Sequence, residues 1–528
     1  MITRRALLIR GSLATLSAAC GAANLPEGQK ERPPPDARPI PDELLADILG
    51  RALDEAKALG ATYADARVHR RRHEKVATRE DHVVEVASSE TYGIGVRVLA
   101  FGAWGFASTG LVTDDAAKDA AKRAVQVAKA NAGAQIRKIE LAPVSQYTDV
   151  YKTPLETDPF DVSLAEKAAL LLSFWPEAKK VAGVSFLEAS CEAFDEHKVF
   201  ASSEGSVIEQ RIVRVGAGYE ITARDDKQGE FVTRAHELPP MQSGWEHVTG
   251  SSLATDVRKM ADDAVKKLKA PSVNPGKRDL ILAPSNLWLT IHESVGHPTE
   301  LDRALGYEAN LAGTSFATVD QTGKLVYGAP IVTLYADKTT PGGLASCAYD
   351  DDGVRTQKWD LVTKGRFVGW QTTRDQAAWI GEKASRGTSY AEDHRSLPFQ
   401  RMPNVSLQPG AEAHDIDDLV AATDDGILIT GDGSWSIDQQ RYNFQFGGQM
   451  FYEVKGGKIT GAVRDVAYQS NTLDFWRSCD LLGGPESFEL HGSLYDGKGE
   501  PVQSNAVSHG CPPARFRGVN ILRTRDRA

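Results

Sequence analysis

Cysteine is scarce in this sequence, with 5 residues in a chain of 528. None of them stands in a Cys-x-x-Cys pair, which excludes a zinc ribbon and a thioredoxin-like redox motif. Such sparse cysteines do not form a disulfide framework either. A single disulfide among Cys191, Cys347, Cys479 and Cys511 stays open, because the sequence does not pair them.

The sequence also lacks an excess of basic residues and, after its first residues, any long apolar run. The net charge of −10 at pH 7 argues against nucleic acid as the main partner. Without an apolar run of spanning length, an integral membrane protein is not expected. A hydrophobic content of 41% and a charged content of 25% are ordinary for a globular protein. A chain of 528 residues is expected to form two or three domains.

Residues 1–24 predict an export signal rather than a folded element. Arg4 and Arg5 precede a mildly apolar stretch that ends in small residues, which is typical of twin-arginine export to the periplasm. Cys20 follows a weak lipobox, so a lipid anchor at this cysteine is one alternative, and a plain N-terminal extension is another. Residues 25–42 are rich in proline and charge and predict a stiff, solvated linker.

The rest of the chain predicts an α+β fold in two domains. Residues 43–270 combine helix and strand patterns and indicate an N-terminal α/β sandwich-like domain. Pro271 and Pro275 mark a boundary, and residues 271–528 then indicate a β-rich C-terminal domain with long loops. Separate short strands of the first domain are predicted at residues 83–86, 93–98, 184–191 and 198–202.

Two histidines of the first domain raise a rival metal hypothesis. His69 and His73 lie four residues apart, but three arginines stand between them. Those arginines would repel a cation, and the segment has the pattern of a strand or hairpin. A solvated basic turn is therefore favoured over a metal site.

A strand followed by a buried helix is predicted where the second domain begins. Residues 280–283 are apolar and form the strand candidate. A helix start follows, where Ser285 or Asn286 would accept hydrogen bonds from free N–H groups. Residues 287–295 are apolar enough for this helix to be buried.

Two histidines and a glutamate emerge from this helix. His292 is followed directly by Glu293, and His297 comes five residues after the first histidine. Neutral imidazoles are common metal ligands, and a neighbouring carboxylate can act on a bound water. The pattern therefore predicts a metal site, with a pair of hydrogen-bonded core histidines as the alternative.

The spacing of the two histidines constrains the helix. In the common His-Glu-x-x-His zinc helix the histidines lie roughly 40° apart around the axis. Here an ideal helix would turn His297 roughly 140° away from His292. Both can bind one ion only if the helix is wound more widely or has ended. Gly296 and Pro298 favour an ending, so His292 and Glu293 are expected in the helix and His297 at its exit.

With these motifs the chain resembles the TldD/PmbA metallopeptidases, once called modulators of DNA gyrase. The resemblance extends over roughly residues 43–528. PmbA-type subunits lack the histidine motif, so the resemblance is to the TldD-type catalytic subunit. The matching motifs here are residues 63–68, 93–97, 292–300, 349–353, 401–404 and 508–516.

The resemblance implies a zinc metallopeptidase with one Zn²⁺ per chain and a catalytic C-terminal domain. His292 and His297 match the two histidine ligands. Glu293 matches the general base that activates a metal-bound water, whose pKa a metal can bring to about 7. Glu300 matches a family acid that we expect to orient a ligand, with a direct ligand role less favoured.

The third metal ligand stays open. The family has a cysteine directly before a Gly-Lys-Gly-Gln-Pro-like run, and here Asp496 stands before the corresponding residues 497–501. A carboxylate at about 2.0–2.2 Å is an acceptable zinc ligand, harder than a thiolate, so Asp496 is favoured. Cys511 or His509 from the neighbouring loop are alternatives, and a weak site in an impaired enzyme is another.

The expected activity is hydrolysis of unstructured or modified peptides, and the resemblance implies a homodimer or a heterodimer with a PmbA-type subunit. Extended peptides can bind by adding a strand to a sheet edge. Arg441, Tyr442 and Asn443 could line such a cleft, although a strand turn is the favoured interpretation. The alternatives to a peptidase are a non-catalytic metal-binding assembly subunit and an amidase acting on cell-wall peptides.

Overall fold

The computed structural model of this chain describes residues 42–137 and 139–525. The predicted export signal, nearly all of the predicted linker and Cys20 fall outside the described residues. The fold is α+β, as predicted. No helix of the described residues is long and apolar enough to cross a membrane.

The first half of the described chain builds one large sheet with helices packed on it. Its helices are α1 (Asp42–Ala58), α2 (Asp114–Asn131), α3 (Leu164–Leu172), α4 (Phe174–Ala178), α5 (Glu246–Thr249) and α6 (Leu253–Lys269). Its strands are β1 (Tyr63–Arg79), β2 (His82–Ala100), β3 (Ala103–Thr109), β4 (Thr148–Lys152), β5 (Val184–Ser202), β6 (Val207–Asp225) and β7 (Glu230–Met241). The strand order is β3-β2-β1-β5-β6-β4, and β7 pairs with β6.

The four short strands predicted in this half are in fact parts of two long ones. Residues 83–86 and 93–98 both belong to β2, and residues 184–191 and 198–202 both belong to β5. The central strand β1 pairs with β2 along one edge and with β5 along the other. Because β1 pairs with a strand on both sides, the polar residues that separate the apolar segments of β2 and of β5 stay extended. The hydrophobic pattern alone does not indicate this.

The basic segment between His69 and His73 is strand rather than the predicted turn. Both histidines lie in β1. Arg70 donates to Glu90 of β2 at 2.9 Å, and His73 Nε2 lies 3.1 Å from Glu192 of β5. Opposite charges on the neighbouring strands therefore stabilise the extended form. Among the described residues these histidines join no group of potential metal ligands.

Helix α2 approaches the sheet closely through a face of alanines. Ala120, Ala124 and Ala128 are fully buried on this face. A Cβ atom added at Gly105 of β3 would lie 2.0 Å from the carbonyl oxygen of Ala124 and 2.5 Å from the amide nitrogen of Ala128. Because both atoms belong to the helix backbone, only glycine permits this packing distance.

The second half of the described chain is rich in strands. Its helices are α7 (Pro284–Ile291), α8 (Leu301–Ala304), α9 (Arg374–Ala377), α10 (Ile416–Ala421) and α11 (Thr472–Arg477). Its first strands are β8 (Gly276–Leu282), β9 (Leu334–Asp337), β10 (Lys358–Thr363), β11 (Arg366–Phe367), β12 (Ser389–Tyr390), β13 (Phe399–Gln400), β14 (Asn404–Leu407), β15 (Asp425–Thr430) and β16 (Trp435–Ile437). The later strands are β17 (Asn443–Phe446), β18 (Met450–Lys455), β19 (Lys458–Val463), β20 (Val466–Asn471), β21 (Cys479–Leu482), β22 (Glu489–Lys498), β23 (Gln503–Cys511) and β24 (Ala514–Arg523).

Two sheets and a hairpin enclose the helix that carries the histidine motif. The larger sheet has the order β16-β17-β20-β24-β8-β15-β18-β19, with β21 on β24, and the smaller has the order β11-β10-β9-β14. The hairpin consists of β22 and β23. Helix α7 follows the central strand β8 and contacts β14, β15, β22 and β23. Leu287 and Ile291 of this helix are fully buried in the core that both sheets share.

The four cysteines of the described residues are free thiols. Cys191, Cys479 and Cys511 are buried and Cys347 is half-buried. The disulfide that the sequence left open is therefore not formed among them.

The contact of α2 with β3 predicts a specific sensitivity to one methyl group. Gly105→Ala should lower the free energy of unfolding by roughly 1–3 kcal/mol, because the helix must move away from the strand. Thermal unfolding at constant metal content measures this change. Gly133→Ala is the matched control, because no heavy atom lies within 4 Å of a Cβ built there. Equal unfolding temperatures for the two variants would contradict the packing account.

Candidate metal centre

The histidine motif lies on a helix that widens before it ends. Helix α7 ends at Ile291, and residues His292–Gly296 continue as one π-helical turn, in which the N–H of His297 donates to the carbonyl oxygen of His292. A 3₁₀ turn, His297–Thr299, follows. Of the two possibilities, the structure shows the wider winding, and His297 follows it as the first residue of the 3₁₀ turn with which the helix ends. As a result, the ring centroids of His292 and His297 lie 4.6 Å apart.

The predicted helix cap is wrong. Ala283 occupies the position before the helix, and no side chain caps it. Ser285 Oγ instead accepts from the N–H of Gly431 at 3.0 Å, and Asn286 donates to the carbonyl oxygens of Gly431 and Gly447, each at 2.8 Å. Both side chains thus bind the loops around β15 and fix the start of α7 against the sheet.

Side chains donate to three carbonyl groups along the wide turn. Tyr327 donates its hydroxyl hydrogen to the carbonyl oxygen of Ser294. Thr299 Oγ1 donates to the carbonyl oxygen of Val295 at 2.8 Å, and Gln371 donates to that of Gly296 at 2.6 Å. Unpaired buried carbonyl groups would destabilise the turn, so these three donors stabilise it.

A chain of hydrogen bonds fixes the tautomer of His292. His509 Nδ1 lies 2.8 Å from the carbonyl oxygen of Val405, which can only accept, so Nδ1 of His509 carries the proton. His509 Nε2 is then an acceptor for His292 Nδ1 at 2.8 Å. His292 therefore keeps its lone pair on Nε2, the atom that faces Asp496.

Glu300 contacts the second imidazole. Its Oε2 lies 3.0 Å from His297 Nδ1, and Arg303 Nε donates to the same oxygen at 2.9 Å. Burial opposes the charged form of Glu300, but Lys498 and Arg303 outweigh it and hold the pKa of Glu300 well below its usual range. An ionised carboxylate only accepts and favours a proton on His297 Nδ1, whereas Arg303 Nη2, 3.1 Å from the same nitrogen, can only donate and opposes it.

Asp496 lies between the Nε2 atoms of the two imidazoles. Its Oδ1 is 3.8 Å from Nε2 of His292 and 3.8 Å from Nε2 of His297. The pairing of β22 with β23 shifts between Ser493 and Asp496, and this bulge sets the direction of the carboxylate. Arg401 donates to the backbone oxygen of Asp496 and, at 3.3 Å, to its Oδ2.

This set of donors fits a divalent ion. Ligands about 2.0–2.1 Å from a tetrahedral ion are separated by roughly 3.4 Å, and the two distances from Asp496 Oδ1 to the imidazoles, 3.8 Å each, are close to this value. The ligand atoms of His292, Glu293 and His297 also lie within 4.8 Å of one another, so Glu293 offers a second carboxylate beside the two imidazoles. Burial, followed by the charge of Arg441, lowers the pKa of His292 to about 3 and that of His297 well below its usual value. Both imidazoles are therefore neutral ligands at physiological pH.

Glu293 lies in the centre and contacts Arg441, a residue that the sequence did not assign to the metal site. The side chain of Glu293 is buried, and burial raises its pKa. Its Oε2 accepts a hydrogen bond from Arg441 Nη1. Arg441 does lie in a turn between strands, as expected, but its side chain also enters the site. The two residues are 148 positions apart in the chain, and no spacing in the sequence indicates the contact.

The candidates for the third metal ligand lie at different positions relative to the two histidines. Asp496 faces both histidines, whereas His509 uses its Nε2 on His292 and its Nδ1 on Val405. Cys511 is not brought to the site. Its thiol lies 3.8 Å from the carbonyl oxygen of Pro284, at the opposite end of α7. Glu300 contacts His297 at Nδ1, whereas Nε2 of the same ring faces Asp496.

Relatives of known sequence or structure are similar to this chain along nearly its whole length. A metalloprotease of Methanothermobacter thermautotrophicus is 27% identical over 91% of this chain and 99% of the relative. A zinc metalloprotease TldD homolog of Saccharolobus solfataricus is 21% identical over 89% and 98%. The crystal structure of TldE from Thermococcus kodakarensis matches with a TM-score of 0.70 at 15% identity, covering 90% of this chain and 99% of that one. At this identity, the structural match supports the fold alone.

Family models of the PmbA/TldA metallopeptidases match three successive parts of the chain. The model of domain 1 matches residues 64–128, and that of the central domain matches residues 157–270. The model of the C-terminal domain matches residues 275–523, which include both histidines, Glu293 and Asp496. Together these segments account for most of the described residues, and the chain belongs to the TldD/PmbA metallopeptidase family.

Proposed function

We propose that this chain is a zinc-dependent peptidase that hydrolyses unstructured or modified peptides. The observation that carries the proposal is the convergence of two imidazole nitrogens and one carboxylate oxygen, each contacted by a buried partner, beside a second carboxylate. The names of the relatives, metalloprotease and zinc metalloprotease TldD homolog, are consistent with this function.

His292, His297 and Asp496 would hold one zinc ion per chain. Two neutral nitrogens and one carboxylate oxygen are a donor set that zinc accepts in catalytic sites, where the fourth position is left for water or substrate. Zinc, when bound, supplies Lewis-acid polarisation of an oxygen ligand. His509 and Glu300 would act through the imidazoles by contacting their Nδ1 atoms, which favours coordination through Nε2.

Glu293 would act as the general base and then as the general acid. Its carboxylate accepts a proton from the attacking water, whose oxygen forms a bond with the carbonyl carbon of the peptide. The same carboxyl group returns the proton to the leaving amine as the carbon–nitrogen bond breaks. Burial favours this role, since it raises the pKa of Glu293 toward the range in which a carboxylate accepts a proton readily.

Strand β22 offers an edge at which an extended peptide could bind. Along one edge β22 pairs with β23, and it pairs with no other strand of the described residues. Asp496 lies on this strand. A peptide added as a strand would be held by its backbone, next to the proposed zinc ligands and with little dependence on its side chains.

The assembly and the location of the protein remain part of the proposal. The similarity of the fold to TldE supports pairing with a PmbA-type subunit, and a homodimer is the alternative. The motif around Arg4 and Arg5 supports twin-arginine export to the periplasm, with Cys20 as the site of a lipid anchor if one is attached.

One contact favours a second candidate function, a metal-binding subunit without catalysis. The proposed base, Glu293, is engaged in an ion pair with Arg441. If this pair persisted with substrate bound, the carboxylate would accept a proton poorly. Stoichiometric zinc without any chelator-sensitive cleavage of unstructured protein, for example unfolded casein, would support this candidate against the peptidase.

Replacing the proposed base tests the catalytic role. Glu293→Gln should lower kcat by roughly 10²–10⁴-fold, because the amide cannot accept the proton, while the zinc content stays at one per chain. Cleavage of casein or a fluorogenic peptide, together with metal analysis, measures both quantities. Glu412→Gln, on an exposed glutamate, is the matched control. Turnover that survives in Glu293→Gln would rule out this role.

Zinc affinity separates the candidate ligands from the residue that aligns one of them. Asp496→Ala should lose zinc most severely, and Asp496→Cys should retain it, because a thiolate also binds zinc. His509→Phe should weaken binding by about 10–100-fold, since His292 loses the acceptor that fixes its tautomer. Competition with a chromophoric chelator gives the affinities. Cys511→Ala should leave the affinity unchanged, and a large loss there would instead support the thiol as the ligand.

A further inference from the structure

Arg441 is held in an unusual backbone conformation beside the proposed base. It lies in the turn between β16 and β17 with φ of 62°, a region that a residue with a long side chain rarely adopts. Asp438 accepts from the N–H groups of Tyr442 and Asn443 at 2.8 and 3.0 Å, and Thr472 Oγ1 donates to the carbonyl oxygen of Arg441 at 2.8 Å. These bonds stabilise the strained turn and direct the guanidinium group inward.

The guanidinium group of Arg441 has donors without adequate acceptors. Its Nη1 donates to Glu293. Its Nη2 lies 3.5 Å from the carbonyl oxygen of Ala312, at the limit of a hydrogen bond. Its Nε is buried and has no hydrogen-bond partner among the described residues. Other arginines of the described residues also have an unpaired buried Nε, namely Arg71, Arg234, Arg401 and Arg464. What distinguishes Arg441 is its contact with Glu293. Beside this carboxylate, its unpaired Nε can donate to an acceptor atom from outside the chain.

The position of the Nε–Nη2 edge of this guanidinium group limits which acceptor atom of a bound molecule can reach it. Glu293 must lie within one hydrogen bond of the attacking water, and the guanidinium group lies within one hydrogen bond of Glu293. The reacting carbonyl group is therefore the nearest part of a bound peptide.

We propose that Arg441 is a catalytic residue whose Nε–Nη2 edge donates hydrogen bonds to the carbonyl oxygen of the scissile peptide bond. The inference rests on the proposed peptidase function. When the water oxygen bonds to the carbonyl carbon, the π electron pair moves to the carbonyl oxygen and the water proton moves to Glu293. The guanidinium donors stabilise the negative charge on that oxygen. When the pair returns, the carbon–nitrogen bond breaks and the amine takes the proton from Glu293.

The variant Arg441→Lys isolates the contribution of this edge, because it retains a positive charge beside Glu293 but removes the planar pair of donors. We expect kcat for a fluorogenic peptide to fall about 100-fold with little change in KM. Arg441→Gly, which suits the positive φ, should show at least the same loss while folding normally. Gln440→Ala is the matched control, since this neighbour in the same turn is exposed.

Ligand binding provides a readout that does not depend on turnover. A phosphinic peptide mimics the tetrahedral anion, so calorimetry should give an affinity about 100-fold weaker for Arg441→Lys than for the wild type. The affinity for the corresponding product peptide should change little. Zinc content and unfolding temperature should match those of Gln440→Ala.

Three results would overturn the inference, and they are distinguishable from failure of the proposed function. Unchanged kcat in both Arg441 variants, or unchanged phosphinate affinity, would show that the guanidinium group does not contact the reacting oxygen. A loss confined to peptides with a free C-terminal carboxylate, and absent for their C-terminal amides, would assign Arg441 to binding the substrate terminus. If the zinc-loaded wild type cleaves no peptide, the proposed function fails and this inference fails with it.

Discussion

The candidate centre depends on one widened helical turn. With the usual winding, residues five apart lie on different faces of a helix, whereas the π turn brings His292 and His297 to within 4.6 Å of each other. Hydrogen bonds from Tyr327, Thr299 and Gln371 to carbonyl groups along the turn stabilise it. Their positions depend on the smaller sheet and the loops around it. The packing of the β-rich half therefore determines the geometry of the site.

Buried charges around the site indicate that it is maintained for function rather than stability. Lys498 is fully buried and donates to Glu300 at 3.1 Å and to Asp302 at 2.8 Å, while Arg303 and Arg401 contact the same cluster of acids. Apolar residues of similar volume would often be at least as stabilising as buried ion pairs, whereas loss of one partner costs about 3–5 kcal/mol. The role of this network is to orient His297 and Asp496.

The sequence predicts the local parts of this protein well and the contacts between distant parts poorly. The pair His292 and Glu293, the exit at His297 and the orienting role of Glu300 follow from spacing and resemblance within one short stretch. The long strands were divided because polar side chains paired across strands look like turns in a single sequence. Arg441 was assigned only to a turn or cleft, since nothing near it in the sequence indicates Glu293. His509 was considered as a ligand, although the structure assigns its two nitrogens to Val405 and His292.

The central claim is that two imidazoles and Asp496 bind one zinc ion. X-ray absorption spectroscopy of the zinc-loaded protein tests it most directly, because it counts ligand atoms by type and distance. The account predicts two imidazole nitrogens at about 2.0–2.1 Å and a carboxylate oxygen at about 2.0–2.2 Å, without sulfur. A sulfur ligand at about 2.3 Å, or a spectrum with no imidazole contribution, would contradict it.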